Sequence, residues 1–368
     1  MKKILIVDCN AKLGGIQKAL ISFLRQQHTE NDISVLFLYK AGSLLSEIPE
    51  NVKVYTTESD FKYMGMSQAD CTTIKDKIKR ALYVVISKWF GQEIAVRIAK
   101  LSLRERISES FDEVISFSHM ADERSFYGGT PQYVLNLKNS GKKTCYIHCD
   151  YLHSGNRSLY SDAVYSKFDE IICVSESTKN AFLEALPQLR EKVVAKYNYI
   201  DGEKIRRLAQ EEPYIYDDEY INAIVVARLT KEKGILRIVR IFESLNKDIK
   251  IRLYIVGDGK ERNDIVEIIK TANLKDKVIL LGEQENPYRY MSNADFLVVP
   301  SYHEAAPVIY QEAIELNLMV LTTRTTSADE MIGETHGLVV DNNDEALREG
   351  VLKIISTPHV WINRFRKK

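Results

Sequence analysis

A chain of 368 residues is long for a single domain and comfortable for two. Hydrophobic content of 45% and charged content of 28% describe an ordinary soluble globular protein. The formal net charge is zero, which argues against a dedicated nucleic-acid binder.

Lys2 and Lys3 lead into the apolar run 4–7, which stops at Asp8. That run is too short for a secretory leader and reads as a first buried strand. The loop "CNAKLGG" follows it, and Gly14 and Gly15 open the helix "IQKALISFLRQQ". Two glycines let backbone approach a phosphate or substrate closely, and a helix N-terminus favours anions. The spacing is not G-x-G-x-x-G, so the dinucleotide reading is weak. "ISVLFLY", "EVISFS", "KTCYIH" and "EIICVS" are further strands of the first half.

One segment departs from this alternation. Residues 74–108 are helical in period, with a seam at Ile74, Ile78, Leu82, Val85 and Trp89. Lys75, Lys77, Lys79, Arg80, Lys88, Arg97, Lys100, Arg104 and Arg106 face only Asp76, Glu93 and Glu105. The plainer reading is a core helix pair with a solvated basic face, its seam turned inward. The sharper one is an interfacial amphipathic helix for an anionic membrane surface. No run approaches the ~18 apolar residues of a membrane span.

The second half repeats the strand theme with "NAIVVAR", "RLYIVG", "VILLG", "FLVVP" and "MVLTT". Near-continuous apolar strands alternating with helices imply parallel sheets covered on both faces. The expected class is α/β, with two doubly wound units. The polar segment 201–222 reads as irregular, and the domain junction falls there or just before it. The five cysteines include no C-x-x-C pair and read as reduced, buried thiols of a cytosolic protein. Cys145, His148 and Cys149 have the wrong spacing for a zinc site.

In open α/β sheets ligands bind beyond the carboxyl ends of the strands, and four loops stand out there. The first carries Gly14 and Gly15. The second, "YIHCDYLHSG", places His148 at a strand end with Asp150 beside it; a lone histidine there is structural or catalytic. The third is "VVARLTKEKGILRIV", where Arg228, Lys233 and a helix N-terminus after Gly234 would suit a diphosphate. The fourth follows the strand 296–299, with Glu304 in a loop, Pro307 as a first helical residue and Glu312 inside the helix 307–316. Glu312 shares a stripe with Val308 and Leu316, so its carboxylate needs a partner there.

The stretches "VARLTKEKG", "LYIVGDGKERNDI" and "VILLGEQENPYRYMSNADFLVVPSYHEAAPVIYQEA", in that order and spacing, resemble the retaining glycosyltransferases of family 4, which have the GT-B fold. Glu304 and Glu312 match that family's E-x(7)-E signature. "GGIQKAL" and "YIHCDY" are similar to its polysaccharide-assembly members. The resemblance implies two Rossmann-like domains with a cleft between them: an acceptor domain over 1–198, a nucleotide-sugar domain over 199–355, and a tail, 356–368, packing back on the N-terminal domain. It implies that Arg228 and Lys233 hold the donor diphosphate and that Glu312 holds the ribose hydroxyls. Glu304 would contact the transferred sugar, His148 would lie near the reacting centre, Gly15 would line the phosphate side, and Ala306 and Pro307 would border the donor.

Here "EAAP" stands where the family commonly has "EGFG" or "EGLP", and "TTRTTSADEM" replaces a usual Gly-Gly turn before Glu330. The chain contains no D-x-D, so neither metal nor cofactor is expected. The implied activity is retaining hexosyl transfer from a nucleotide sugar, UDP-linked by default, to a lipid-linked saccharide of surface polysaccharide. The implied location is the cytoplasmic side of the cell membrane, with peripheral contact through 74–108. A GT-B-fold sugar-nucleotide epimerase and a non-catalytic partner subunit are the competing readings.

Overall fold

The computed structural model describes residues 1–103, 107, 109–138, 140–246 and 248–365. The chain divides into two compact units, Met1–Ile200 and Asp201–Lys368. The first holds seven parallel strands in the order β3-β2-β1-β4-β5-β6-β7. These are β1 (Lys3–Asp8), β2 (Asp32–Phe37), β3 (Lys53–Thr56), β4 (Phe111–Ser116), β5 (Ser140–Ile147), β6 (Glu170–Cys173) and β7 (Val193–Ala195). Its helices are α1 (Gly15–Gln27), α2 (Ile74–Phe90), α3 (Gln92–Lys100), α4 (Thr130–Asn136), α5 (Leu159–Tyr165) and α6 (Glu176–Ala185).

The second unit holds six parallel strands in the order β10-β9-β8-β11-β12-β13. They are β8 (Ile221–Val226), β9 (Ile251–Val256), β10 (Val278–Gly282), β11 (Phe296–Val299), β12 (Met319–Thr323) and β13 (Gly337–Val340). Its longer helices are α7 (Gly202–Gln210), α8 (Ile235–Ser244), α9 (Arg262–Thr271), α11 (Val308–Glu315) and α14 (Asp344–Ser356). Single turns form α10 (Tyr288–Met291), α12 (Ala328–Met331), α13 (Gly333–His336) and α15 (Pro358–Trp361). Central strands such as β8, β9 and β11 are buried along nearly their whole length, as parallel strands covered by helices on both faces must be.

In both units the strand order reverses next to the first strand, between β1 and β4 and between β8 and β11. Two neighbouring strands whose crossovers leave in opposite directions open a crevice at their carboxyl ends.

Four expectations need correction. The segment 201–222 is not irregular throughout, because Asp201 caps α7 by accepting from the Lys204 amide at 2.9 Å. The tail is built into the C-terminal unit: Ile362 is buried in that unit's core, and Trp361 and Phe365 pack against it. Pro307 precedes α11 in an extended conformation instead of opening the helix. The helical segment breaks at Gly91, whose φ of 85° favours glycine, and α3 ends at Lys100. Arg104, Glu105, Arg106 and Ser108 lie outside the described residues.

Both helices do enter the core, through Tyr83 of α2 and Ala95, Val96 and Ala99 of α3, but the expected seam of α2 is not its buried side. Ile74, Ile78, Leu82, Val85 and Trp89 are all exposed, while α2 buries Tyr83 and Ser87 on its other side. The inner side wins because it is bonded as well as packed. Tyr83 stacks on Phe126 at 4.7 Å and donates to Asp60 at 2.8 Å, and Arg80 Nε donates to the Met66 carbonyl at 2.8 Å.

Candidate functional site

The C-terminal switch point is assembled by a close backbone contact. Gly234, at φ 66°, joins the 3-10 turn Lys231–Lys233 to α8, and a Cβ there would sit 2.1 Å from the Pro300 carbonyl oxygen. Only glycine lets the turn after β8 press against the loop after β11. The contact is fixed from both sides. The Tyr302 amide donates to the Glu232 carbonyl at 2.9 Å, and Thr323 Oγ1 donates to the Ser301 carbonyl at 2.6 Å. Arg237 of α8 is almost wholly buried beneath, donating to Asp344 and Asn342 at 2.8 Å each and stacking on Tyr302 at 4.4 Å.

The result brings two predicted residues together. Lys233 Nζ donates to Glu304 Oε1 at 2.6 Å, and Ser301 Oγ donates to the same oxygen at 2.8 Å. The Lys233 and Glu304 side chains are only 22% and 11% exposed, so the pair is poorly screened and its geometry matters. Arg228 stands apart from them: its side chain is 70% exposed, with Glu232 at 3.9 Å. The guanidinium is therefore free to swing toward an anion at the carboxyl end of β8.

Glu312 is buried on the inward face of α11, beside Tyr310 and Ala313. The Tyr288 hydroxyl of α10 donates to Glu312 Oε1 at 2.7 Å, which supplies the partner that a carboxylate on an apolar stripe requires. Ala306 is buried and Pro307 half-buried between the two acids in sequence. A groove of about 710 Å³ lined by Asn222, Asp295 and Leu318 lies at the amino ends of β8, β11 and β12, away from these groups.

The N-terminal switch point is built from buried polar groups. Asp8 ends β1 and is fully buried; Ser118 Oγ donates to Oδ1 and Gln17 Nε2 donates to Oδ2 at 3.2 Å. Burial pushes its carboxyl up to about 6, although both hydrogen bonds pull the other way. His148 follows β5 as predicted, and His119 follows β4, the rings 6.4 Å apart. Burial lowers both, His119 to about 4 and His148 to about 3, with His119 adding to the effect on His148. His148 hydrogen-bonds the Phe117 backbone, while its Nε2 and the Nδ1 of His119 are buried without a partner among the described residues.

Two neutral imidazoles with unused buried nitrogens can accept from or donate to hydroxyls. Gly15 opens α1 and is exposed, after an extended Gly14. Asp8, Ser118, His119 and Tyr288 were not picked out from sequence. His119 could have been, since it obeys the same strand-end rule as His148. Tyr288 carries no such signal, because only the fold places it against Glu312. All five cysteines are free and buried. Among the described residues no group of three or more His, Cys, Asp or Glu side chains is arranged to hold a metal ion.

Residues 207–368 match the family model for glycosyl transferases group 1. The fold of the whole chain is shared with HepE of Anabaena, solved with UDP and glucose, at TM-score 0.68 and 17% identity over 99% of this chain and 93% of that one. The chain has the GT-B fold, and the match to glycosyl transferases group 1 lies in its C-terminal unit. Its relatives include an uncharacterized glycosyltransferase of Methanocaldococcus jannaschii, 28% identical over 203 residues and covering 52% of this chain and 50% of the relative. Another is the N-acetylgalactosamine-N,N'-diacetylbacillosaminyl-diphospho-undecaprenol 4-alpha-N-acetylgalactosaminyltransferase of Campylobacter jejuni, 26% identical over 261 residues and 70% of each chain. This GT-B chain thus spans about half the length of the archaeal relative and more of the bacterial one. The family match covers the unit that holds Arg228, Lys233, Glu304 and Glu312.

Proposed function

We propose that this protein transfers a hexosyl unit, with retention and without a metal, from a UDP-sugar to a lipid-linked saccharide of a surface polysaccharide on the cytoplasmic side of the membrane. The observation that carries the donor reading is the Lys233–Glu304 pair at 2.6 Å where the loops after β8 and β11 meet, with Arg228 exposed nearer the end of β8. A leaving nucleoside diphosphate develops negative charge while the sugar develops positive charge. Two cations and a helix N-terminus answer the first, and the Glu304 carboxylate answers the second. A diphosphate that draws Lys233 away leaves Glu304 free to face the sugar. Arg228 and Lys233 do the electrostatic work usually left to a metal clamp.

Glu312, held by Tyr288 inside the apolar stripe, presents its carboxylate to vicinal hydroxyls of the ribose. Ala306 and Pro307 shape the donor side, and Gly15 lets the start of α1 approach a phosphate. In the N-terminal unit, His148 and His119 offer neutral nitrogens for sugar hydroxyls. With the leaving phosphate taking the acceptor proton, front-face attack retains configuration and needs no protein base. The name of the Campylobacter relative, which specifies a diphospho-undecaprenol acceptor, supports the lipid-linked class of acceptor.

The test is direct. Thermal-shift profiles with UDP-, GDP- and ADP-sugars should show the largest rise with a UDP-sugar. Transfer to a polyprenyl-diphosphate-linked saccharide should then proceed in EDTA with the α-linked product. Activity lost on chelation and restored by manganese would remove the metal-free reading. Conversion of the UDP-sugar to an epimer with no acceptor present would assign the protein to a different reaction.

A further inference from the structure

Arg237 breaks the pattern of its helix. The other buried residues of α8 are Ile235, Ile238, Val239, Ile241 and Phe242, yet this arginine is buried among them at 3% exposure. A buried ion pair is commonly no more stabilising than packed apolar side chains of similar volume. The Nη2 of Arg237 is also buried without a partner among the described residues, which adds to the cost. Stability alone does not account for a guanidinium at this position. What it holds in place does.

The side chain ties the loop after β11 to the turn between β13 and α14. Nε donates to Asp344 Oδ1 and Nη1 to Asn342 Oδ1, at 2.8 Å each. Nη1 also donates to the Pro300 carbonyl at 3.4 Å, and the guanidinium lies over the Tyr302 ring at 4.4 Å. Asn342 closes the circuit, because its Nδ2 donates to the Tyr302 carbonyl at 2.9 Å. Pro300 and Tyr302 bracket Ser301, whose hydroxyl donates to Glu304 at 2.8 Å. The grip on the loop therefore ends beside that carboxylate.

We propose that Arg237 and Asn342 are positioning residues for Glu304. Acting through Pro300, Ser301 and Tyr302, they fix where its carboxylate stands in the loop after β11, and neither needs to touch a substrate. A planar fork holds the acceptors on Asp344, Asn342 and Pro300 at set angles while its face packs on Tyr302. An ammonium or an apolar side chain supplies no such fork. The inference rests on the reading of Glu304 above, but one arm of its test uses no sugar, so the two can fail separately.

That arm is hydrogen exchange, read by mass spectrometry over residues 301–304 in the ligand-free full chain. Arg237→Met should raise exchange there about tenfold. Its unfolding temperature should hold, because the exposed Asp344 and Asn342 side chains are taken up by water. Asn342→Asp keeps the acceptor for Arg237, loses the donor to Tyr302, and should raise exchange about threefold. Should Arg237→Met unfold early, Asn342→Asp, at its exposed position, carries the same test. With a UDP-sugar, kcat should fall toward a hundredfold in Arg237→Met, the scale of about 1 Å of misplacement, with donor KM little changed. Arg237→Lys should not restore it, since the fork is missing. In a Glu304→Gln background, Arg237→Met should lower kcat little further, because both changes act through one carboxylate. Unchanged exchange in both variants would overturn the proposal whatever the reaction. So would equal losses of kcat with and without Glu304, which would leave Arg237 a purely structural residue. Glu304→Gln with normal kcat would overturn the reading of Glu304 instead, and exchange would then decide whether Arg237 holds its loop.

Discussion

The two sheets place different polar chemistry at the same topological position. Between β8 and β11 stand fixed charges, Lys233 against Glu304, with Arg228 open to solvent. Between β1 and β4 stand Asp8, His119 and, after β5, His148, whose charged forms are all disfavoured by burial. A site that must meet a diphosphate benefits from cations held in place, because their attraction grows as the leaving charge develops. A site that must recognise sugar hydroxyls is better served by neutral donors and acceptors, which need no counter-charge. The division fits a donor-binding unit and an acceptor-binding unit, and it can be broken experimentally.

The largest effect is expected at Glu304. Glu304→Gln keeps the shape and the Ser301 contact but removes the charge, so kcat should fall on the order of a hundredfold or more while KM for the donor changes little. Steady-state kinetics that show a raised KM with normal kcat would make Glu304 a binding group only. Arg228→Ala should weaken UDP binding by about 2 kcal/mol, read by calorimetry, near the lower end for loss of a close charge partner. Its exposure argues against any larger figure, and unchanged UDP affinity would take Arg228 out of the site. Glu312→Ala should raise donor KM about tenfold to a hundredfold, because its contacts are the same in ground and transition states. The same change leaves the Tyr288 hydroxyl without that acceptor, so a fall in stability of about 1–3 kcal/mol should accompany it.

The charged half of this comparison was legible in the sequence and the neutral half mostly was not. Arg228, Lys233, Glu304 and Glu312 sit in loops and on a helix whose strand neighbours are long apolar runs, so periodicity located them. Short strands carry too little pattern to be legible: β3, β7 and β13 are three or four residues each. Asp8 shows in the sequence only as the end of a strand, since nothing local shows that Ser118 and Gln17 close over it. The seam of α2 was found with the right residues, but periodicity cannot say which side of an amphipathic helix faces inward. That was decided by Tyr83, Phe126 and Asp60, two of them distant in sequence. The tail likewise took its place from Ile362 entering the C-terminal core, which no local pattern announces.

The smallest effect tests the neutral half, through pH. His119 and His148 have folded values near 4 and 3 against about 6.5 when unfolded, so the unfolded chain binds their protons first. The stability they contribute is present above pH 6.5 and is lost as pH falls toward 4. Asp8 works in the opposite direction. Its folded value of about 6 exceeds the ordinary carboxylate value, so the stability it contributes is present at low pH and is lost as pH rises through 6. At pH 5 the unfolded state holds two protons on the histidines, and the folded state holds one on Asp8. The three groups together leave a net uptake of one proton on unfolding, a slope of about 1.4 kcal/mol per pH unit. Asp8→Asn removes the opposing group and should steepen the dependence by one proton between pH 4.5 and 5.5. His148→Gln should flatten it by one. Urea unfolding at several pH values reads both slopes directly. If Asp8→Asn leaves the slope unchanged, Asp8 is ionised throughout, and the N-terminal switch point carries a fixed charge like its counterpart.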